Sequence, residues 1–235
     1  MDPALFAVSF VCYGVLVFTL KRLTYPKSLE PSPPFPTGWK TGHEYAIALS
    51  PDYWWAKRFK SRINQFQPEQ TRQLSLKRYV VTNNLMNFWV SVALTILLFL
   101  IHATVQESIF FQLILATAVI RYISRSFEIA YAFGLDVIDK SKNTTGLDKF
   151  ERIKLALVSY AEIFIYSAAG YMALPAVKDP LEAIVASLSV GTFANVGFVF
   201  PDRNGLLCNS MVFIQIFATL GLVVLSLASY VSREE

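Results

Sequence analysis

Long apolar runs separated by polar stretches set the outline of this chain. They fall at 4–20, 85–102, 109–120, 155–174 and 206–231. A membrane-crossing helix needs about 20 apolar residues, within a range of about 17–25. The pattern therefore predicts about five transmembrane helices. A further apolar run at 181–192 is too short to cross, and it predicts a re-entrant helix that enters the membrane and stops. The expected fold class is an all-α integral membrane protein.

Composition agrees with that pattern. Hydrophobic residues make up 54% of the chain and charged residues 16%, against about 45–50% and about 25% in an ordinary soluble domain. The first apolar run lacks a basic leader and a small-residue cleavage site, so it reads as an uncleaved spanning helix rather than a signal peptide. Cys12 and Cys208 are too few for a disulfide framework or a metal cluster and read as buried thiols. The chain divides into an N-terminal membrane helix (1–22), a basic and aromatic segment (23–84), two membrane helices with a polar extension (85–154) and a C-terminal unit (155–235).

Charge placement gives an orientation. Lys and Arg crowd 21–84, from Lys21 and Arg22 through Lys57, Arg58, Lys60 and Arg62 to Lys77 and Arg78, and recur in 140–154. The 102–108 loop and the residues before Leu5 carry none. Cytoplasmic loops of membrane proteins are rich in Lys and Arg. The expected topology is thus a multi-pass protein of the plasma (cell inner) membrane, with its N-terminus outside and both basic stretches and the C-terminus in the cytoplasm. The run from Tyr53 to Arg62 has either of two fates, an amphipathic helix on the lipid surface or a helix packed on its own subunit. Basic residues beside a membrane already have an explanation, so nucleic-acid binding is not expected.

Four ionisable positions stand out within or beside apolar runs. Arg121, Arg125 and Glu128 follow one another at helical-turn spacing, and Glu162 sits within the fourth run. Such a residue in a spanning helix costs about 2.5–3.5 kcal/mol on insertion scales, so it faces protein or water. Contact of Glu162 with the short re-entrant helix, or its pairing with Arg121 or Arg125, is one expectation; snorkelling of Glu162 to the inner face is the other. Arg125 can also pair with Glu128. One reading continues the third helix out of the bilayer as far as Asp139, with these charges at the cytoplasmic surface. A voltage-sensing helix has weak support, because two arginines spaced by four lack the every-third repeat.

The stretch 179–230 carries the functional expectation. Pro175 and Pro180 end the fourth helix. The short helix follows, then Thr192, Phe193, Ala194, Asn195, Val196, Gly197 and Phe198, then a polar turn and a long final helix. Irregular backbone at membrane depth survives only when buried in protein or lining water, and carbonyls in such a path replace the hydration shell of a cation. An extended filter is expected here, with Gly197 supplying backbone freedom.

This stretch resembles the outer helix–pore loop–inner helix unit of the potassium-channel superfamily. Against the filter pattern T-x-T-T-V-G-Y-G-D, Thr192, Val196 and Gly197 match, Phe198 replaces the tyrosine, and Val199 and Phe200 stand at the second glycine and the aspartate. The loop is more similar to the single-glycine type of the Trk/Ktr/HKT transporters, A-F-N-N-A-G-F, at Phe193, Asn195, Gly197 and Phe198. The resemblance covers about the last third of the chain. It implies a homotetramer conducting potassium or sodium, with no cofactor beyond the permeant cation. In channels of this kind an inner-helix glycine often serves as a gate or hinge, so Gly221 is expected either in that role or as a point of close helix packing; Gln215 would line the pore or bond across helices.

An enzyme is the least expected class. His43 and His102 lie in different compartments of this topology, and no phosphate loop, catalytic triad or metal spacing appears. The alternative to a channel is a non-conducting tetrameric sensor or anchor, with residues 21–84 recruiting a cytoplasmic protein. Bacterial stress response and phage defence use such two-part systems.

Overall fold

The computed structural model describes residues 2–26, 46–65, 69–105, 108–138, 146–199 and 206–223. Their elements are α1 (Pro3–Leu23), α2 (Ala46–Leu49), α3 (Pro51–Asn64), α4 (Glu69–Thr104), α5 (Ile109–Ile138), α6 (Lys149–Tyr171), α7 (Pro180–Gly191) and α8 (Leu206–Leu220), with a 3-10 turn at Val196–Val199. Four of these, α1, α4, α5 and α6, are long and apolar enough to cross a membrane. The described part of the final apolar run is shorter, and residues 224–231 lie outside the described residues.

Helix starts follow local chemistry. Asp2 caps α1 through Ala4 N–H, and Pro3 stands where a missing N–H costs nothing. Ser50 and Pro51 open α3 in the same way. Asp148 and Glu151 form a reciprocal capping box at α6. Asp179, Pro180 and Glu182 open α7.

The long helices are polar inside and apolar outside. On α4, Asn83, Asn87, Ser91 and Thr95 repeat every fourth residue on the buried face, while Leu85, Trp89, Ile96 and Leu100 are exposed. On α1, Ser9, Tyr13, Val17 and Lys21 are buried at the same spacing, and Val8, Val11 and Val15 are exposed. A water-soluble bundle has the opposite arrangement. Lipid tolerates the outward apolar side chains, and small or polar residues join helices inside. Cys12, expected to be buried, lies exposed on this outer face of α1, where an apolar solvent accepts a thiol as readily as a core does.

One helix limit differs from that expected. Helix α4 has 36 residues and starts at Glu69, inside the stretch read as a separate basic segment. At about 1.5 Å per residue it measures about 54 Å, well beyond the roughly 30 Å hydrocarbon core. A scan for apolar runs sees only its membrane part. The remainder is held by ion pairs, Glu69 with Arg72 (3.0 Å) and Lys77 with Glu151 of α6 (2.6 Å), and by burial of Leu76 and Tyr79. Helix α5 runs as a single helix through Ile138, as in the reading that continues it past Ile120, and it contacts α1, α3, α4, α6 and α8.

Of the two fates weighed for 53–62, packing on the same subunit is the one observed. Trp54, Phe59 and Ile63 of α3 are buried against α1 and α4, with Phe59 among the rings of Phe18, Tyr25, Trp55 and Tyr79. Truncating Phe59 to Ala should therefore cost about 3–5 kcal/mol, read as a lowered denaturation midpoint of the purified protein. Lys57→Ala on the outer side of the same helix should change it by less than about 0.5 kcal/mol.

Candidate functional site: a buried charge cluster beside a short apolar helix

The ionisable residues of the apolar runs converge in one cluster. Arg125 of α5 grips Glu162 of α6 side-on, with Nε to Oε1 at 3.0 Å and Nη2 to Oε2 at 2.6 Å. A two-point fork fixes both side chains in orientation as well as distance. Glu162 Oε1 also accepts from Arg121 Nη2 at 3.3 Å and from the Ser91 hydroxyl at 3.1 Å. Arg125 also donates to Glu128, which pairs with Lys21 of α1 at 3.0 Å. Arg121 completes its bonds with the Asn87 carbonyl (2.7 Å), Ser91 Oγ (2.9 Å) and the Tyr13 hydroxyl (3.3 Å). Tyr13 donates to Asp52 of α3, which also accepts from Ser124 Oγ at 2.5 Å.

Lys21, Arg121 and Arg125 thus oppose Asp52, Glu128 and Glu162, and the formal charges cancel. Arg121 is 1% exposed and Glu162 fully buried. Desolvating each ion costs several kcal/mol, repaid only where the geometry is good and the remaining hydrogen-bonding groups are satisfied. Here α1, α3, α4, α5 and α6 all contribute.

Arg121, Arg125 and Glu128 are enclosed by the neighbouring helices. Of the fates weighed for Glu162, pairing with Arg121 and Arg125 is the one observed. Two members were not anticipated. Lys21 reads as a membrane-edge anchor at the end of an apolar run, and Asp52 lies in a polar stretch. The four-residue stripe Ser9–Tyr13–Val17–Lys21 is the signal that places Lys21 inward.

The second part of the site is built on the other side of α6. Helix α7 has 12 residues, about 18 Å at about 1.5 Å per residue, so it reaches roughly halfway through a membrane core of about 30 Å. It turns back against α6: the Ser187 hydroxyl donates to the Phe164 carbonyl at 2.8 Å. Gln215 of α8 joins all three helices, accepting from the Tyr171 hydroxyl at 2.5 Å and donating to the Ser187 carbonyl at 2.9 Å. It is fully buried and acts here as a bond across helices. Gly191 is required by this packing. A β-carbon there would fall 2.3 Å from Phe164 Cε1 and 2.8 Å from Gln215 Nε2. Nothing in the sequence pattern marked this residue.

Helix α7 ends in a Schellman motif. Ala194 N–H bonds to the Ser189 carbonyl at 3.1 Å and Phe193 N–H to the Val190 carbonyl at 3.2 Å. The left-handed residue is Phe193, at φ 57°, where glycine is usual. Gly197, expected to supply backbone freedom, is in the 3-10 turn instead, and an added β-carbon would meet only Asn195 Oδ1 at 3.8 Å. The 196–199 backbone is thus a turn, not the extended chain expected. Thr192, Phe193, Ala194, Asn195 and Gly197 are exposed and Val196 is half-buried. The Phe198 and Cys208 side chains and residues 200–205 lie outside the described residues. On α8 the helix widens into a π turn at 221–223, starting at Gly221, the kind of irregularity found at kinks.

No significant match to the chain was found among protein-family models, curated proteins or solved structures. The pore-loop resemblance therefore rests on the residues of 192–198 and on the helices around them.

Two stability tests follow. Glu162→Gln leaves two buried guanidiniums under-compensated and should cost about 3–5 kcal/mol. Adding Arg125→Gln to it should cost less than the sum of the single changes, as a denaturation double-mutant cycle would show. Gly191→Val should destabilise by about 1–3 kcal/mol through overpacking, whereas Gly197→Ala should stay within about 1 kcal/mol.

Proposed function

We propose that four copies of this chain assemble around a common axis into a cation pore, with residues 192–198 at its narrow part. One observation carries the reading: a helix about half as long as a membrane span, bonded between α6 and α8, ends in a turn. In this reading that turn lies at membrane depth. The C-terminal end of such a helix bears partial negative charge, which favours a cation beside it. The exposed apolar side chains of α7 and α8, among them Ile184, Val185, Leu188, Phe213 and Phe217, supply surface for neighbouring subunits and lipid. Gly221, at the change from α to π turn, is the hinge of the inner helix in this reading. The permeant ion is potassium or sodium, and no catalysis is involved. The basic ends of the bundle face the cytoplasm of a plasma membrane.

A second reading, a non-conducting tetrameric sensor or anchor, is favoured by one observation. The turn at Val196–Val199 directs carbonyls along its own axis rather than toward a shared path. In this reading a cytoplasmic partner is recruited through 21–84, of which residues 27–45 and 66–68 lie outside the described residues.

Cation flux into proteoliposomes separates the two. In the channel reading the wild type passes potassium or sodium, Gly197→Trp abolishes flux while remaining a tetramer by light scattering, and Asn195→Ala alters the ratio of the two ions. Absence of flux from the wild type under every gradient and voltage would sink the channel reading in favour of the scaffold.

A further inference from the structure

Helices α4 and α6 run side by side in the same direction. Lys77 pairs with Glu151 at 2.6 Å, and Asn84 Nδ2 donates to the Leu155 carbonyl at 3.1 Å. Farther along, Ser91 Oγ donates to Glu162 Oε1 and Thr95 Oγ1 to the Ile165 carbonyl, both at 3.1 Å. Each helix also carries an outward stripe of one pattern, a basic residue followed three and seven positions later by apolar ones. On α4 the stripe is Arg78, Val81 and Leu85; on α6 it is Lys154, Leu157 and Ala161. All six are exposed. An α-helix turns about 100° per residue. The α4 stripe therefore lies about a quarter-turn to one side of Lys77, Asn84 and Ser91, which face α6. The α6 stripe lies about a third of a turn, in the opposite sense, from Glu151, Leu155 and Glu162, which face α4. In two parallel helices this puts both stripes on one face of the pair.

The two cations stand at the level of lipid headgroups. Three residues of helix measure about 4.5 Å, and the headgroup layer is about 5–7 Å thick on either side of the hydrocarbon core. With Val81 and Leu157 at the edge of the hydrocarbon, Arg78 and Lys154 fall in that layer. One turn farther out Leu74 and Phe150 are exposed as well, Phe150 by 70%, so apolar surface flanks the cations on both sides. Among the described residues, Arg78 and Lys154 pair with no carboxylate, whereas Arg72 and Lys77 are held by Glu69 and Glu151. An anion with an apolar tail complements this face in both charge and polarity, and a guanidinium matches phosphate oxygens in a two-point geometry. Basic sites between membrane helices take up anionic lipid headgroups in this way.

We propose that the exposed face shared by α4 and α6 binds one anionic phospholipid, with Arg78 and Lys154 on its phosphate and its acyl chains along Val81, Leu85 and Leu157. Helix α7 leaves this part of α6 uncovered, because it is bonded to the far half of α6 at Phe164. Binding here does not depend on whether the assembly conducts.

The full chain in phosphatidylcholine nanodiscs is the material for the test. Phosphatidylglycerol or, for comparison, the zwitterionic phosphatidylethanolamine is added in rising proportion, and native mass spectrometry counts the lipids retained by the released protein. Saturable retention of phosphatidylglycerol and not of phosphatidylethanolamine is expected. Arg78→Gln and Lys154→Gln should each weaken that retention about fivefold, the effect of one basic residue beside an anionic lipid surface. Both positions are exposed, so the variants should fold as the wild type does. Arg22→Gln removes the same charge from an exposed position of α1, which packs on α3 and α5 at the same end of the bundle, and it should leave retention unchanged. The proposal is overturned if the wild type retains no phosphatidylglycerol in a saturable manner, or if Arg22→Gln loses as much as Arg78→Gln, which would mark a general attraction to acidic membranes. It is also overturned if Arg78→Gln and Lys154→Gln retain the lipid as the wild type does but lose oligomeric mass, which would assign this face to a second copy of the chain.

Discussion

The fork between Arg125 and Glu162 is the interaction on which the rest of the arrangement depends. It is the point where α5 and α6 exchange charge in a region shielded from water, and each partner carries a further ion. Arg125 reaches Glu128 and through it Lys21 of α1. Glu162 reaches Arg121 and through it Tyr13 and Asp52 of α3. No single pair would justify its desolvation; the set shares the cost, with most of its donors and acceptors satisfied and Asp52 Oδ1 and Asn87 Nδ2 the exceptions among the atoms of the described cluster. Lipid offers little driving force for helices to associate, since acyl chains are as apolar as leucine. A polar centre that is satisfied only when five helices meet supplies the specificity that burial of apolar surface supplies in water.

That constraint explains the inside-out surfaces of α1 and α4. Residues every fourth position along each helix form one stripe, since α-helices repeat every 3.6 residues. Small and polar groups on the stripe let backbones approach and give the cluster its secondary partners, Asn87 O and Ser91 Oγ on α4 and Tyr13 Oη on α1. The opposite faces are left to Leu, Val, Ile and Trp. Close approach elsewhere is achieved by glycine: at Gly170 an added β-carbon would stand 3.0 Å from the Tyr122 ring, and Tyr122 in turn donates to the Met211 carbonyl of α8.

The membrane helices were legible because hydrocarbon thickness imposes a length that a scan of apolar residues detects. The short helix α7 was legible for the same reason, together with its Asp179-Pro180-x-Glu182 start. Ion pairing of Glu162 with Arg121 and Arg125 was foreseeable because isolated charges in apolar runs must find partners. The extent of α4 was hidden, since its first turns are held by ion pairs and the burial of Leu76 and Tyr79, which carry no hydropathy signal. Gly191 was hidden for a different reason. Its role is set by Phe164 and Gln215, residues distant in sequence, and no local pattern encodes that approach. The positive φ at Phe193 is equally silent in sequence, where Gly197 is the natural candidate.

Helix α6 links the two halves of the site. Glu162, on the face toward α5, holds the charge cluster; the Phe164 carbonyl and Tyr171, on the face toward α7 and α8, hold the short helix and Gln215. A 12-residue helix is marginal by itself, because nucleation is unfavourable and few bonds repay it. Its position is therefore inherited from α6 and α8. Glu162 and Phe164 are two residues apart on one continuous helix, so a displacement of α6 that loosens the Arg125 fork also moves the carbonyl to which Ser187 is bonded. The polar centre and the short helix α7 are thus both anchored on α6, two residues apart.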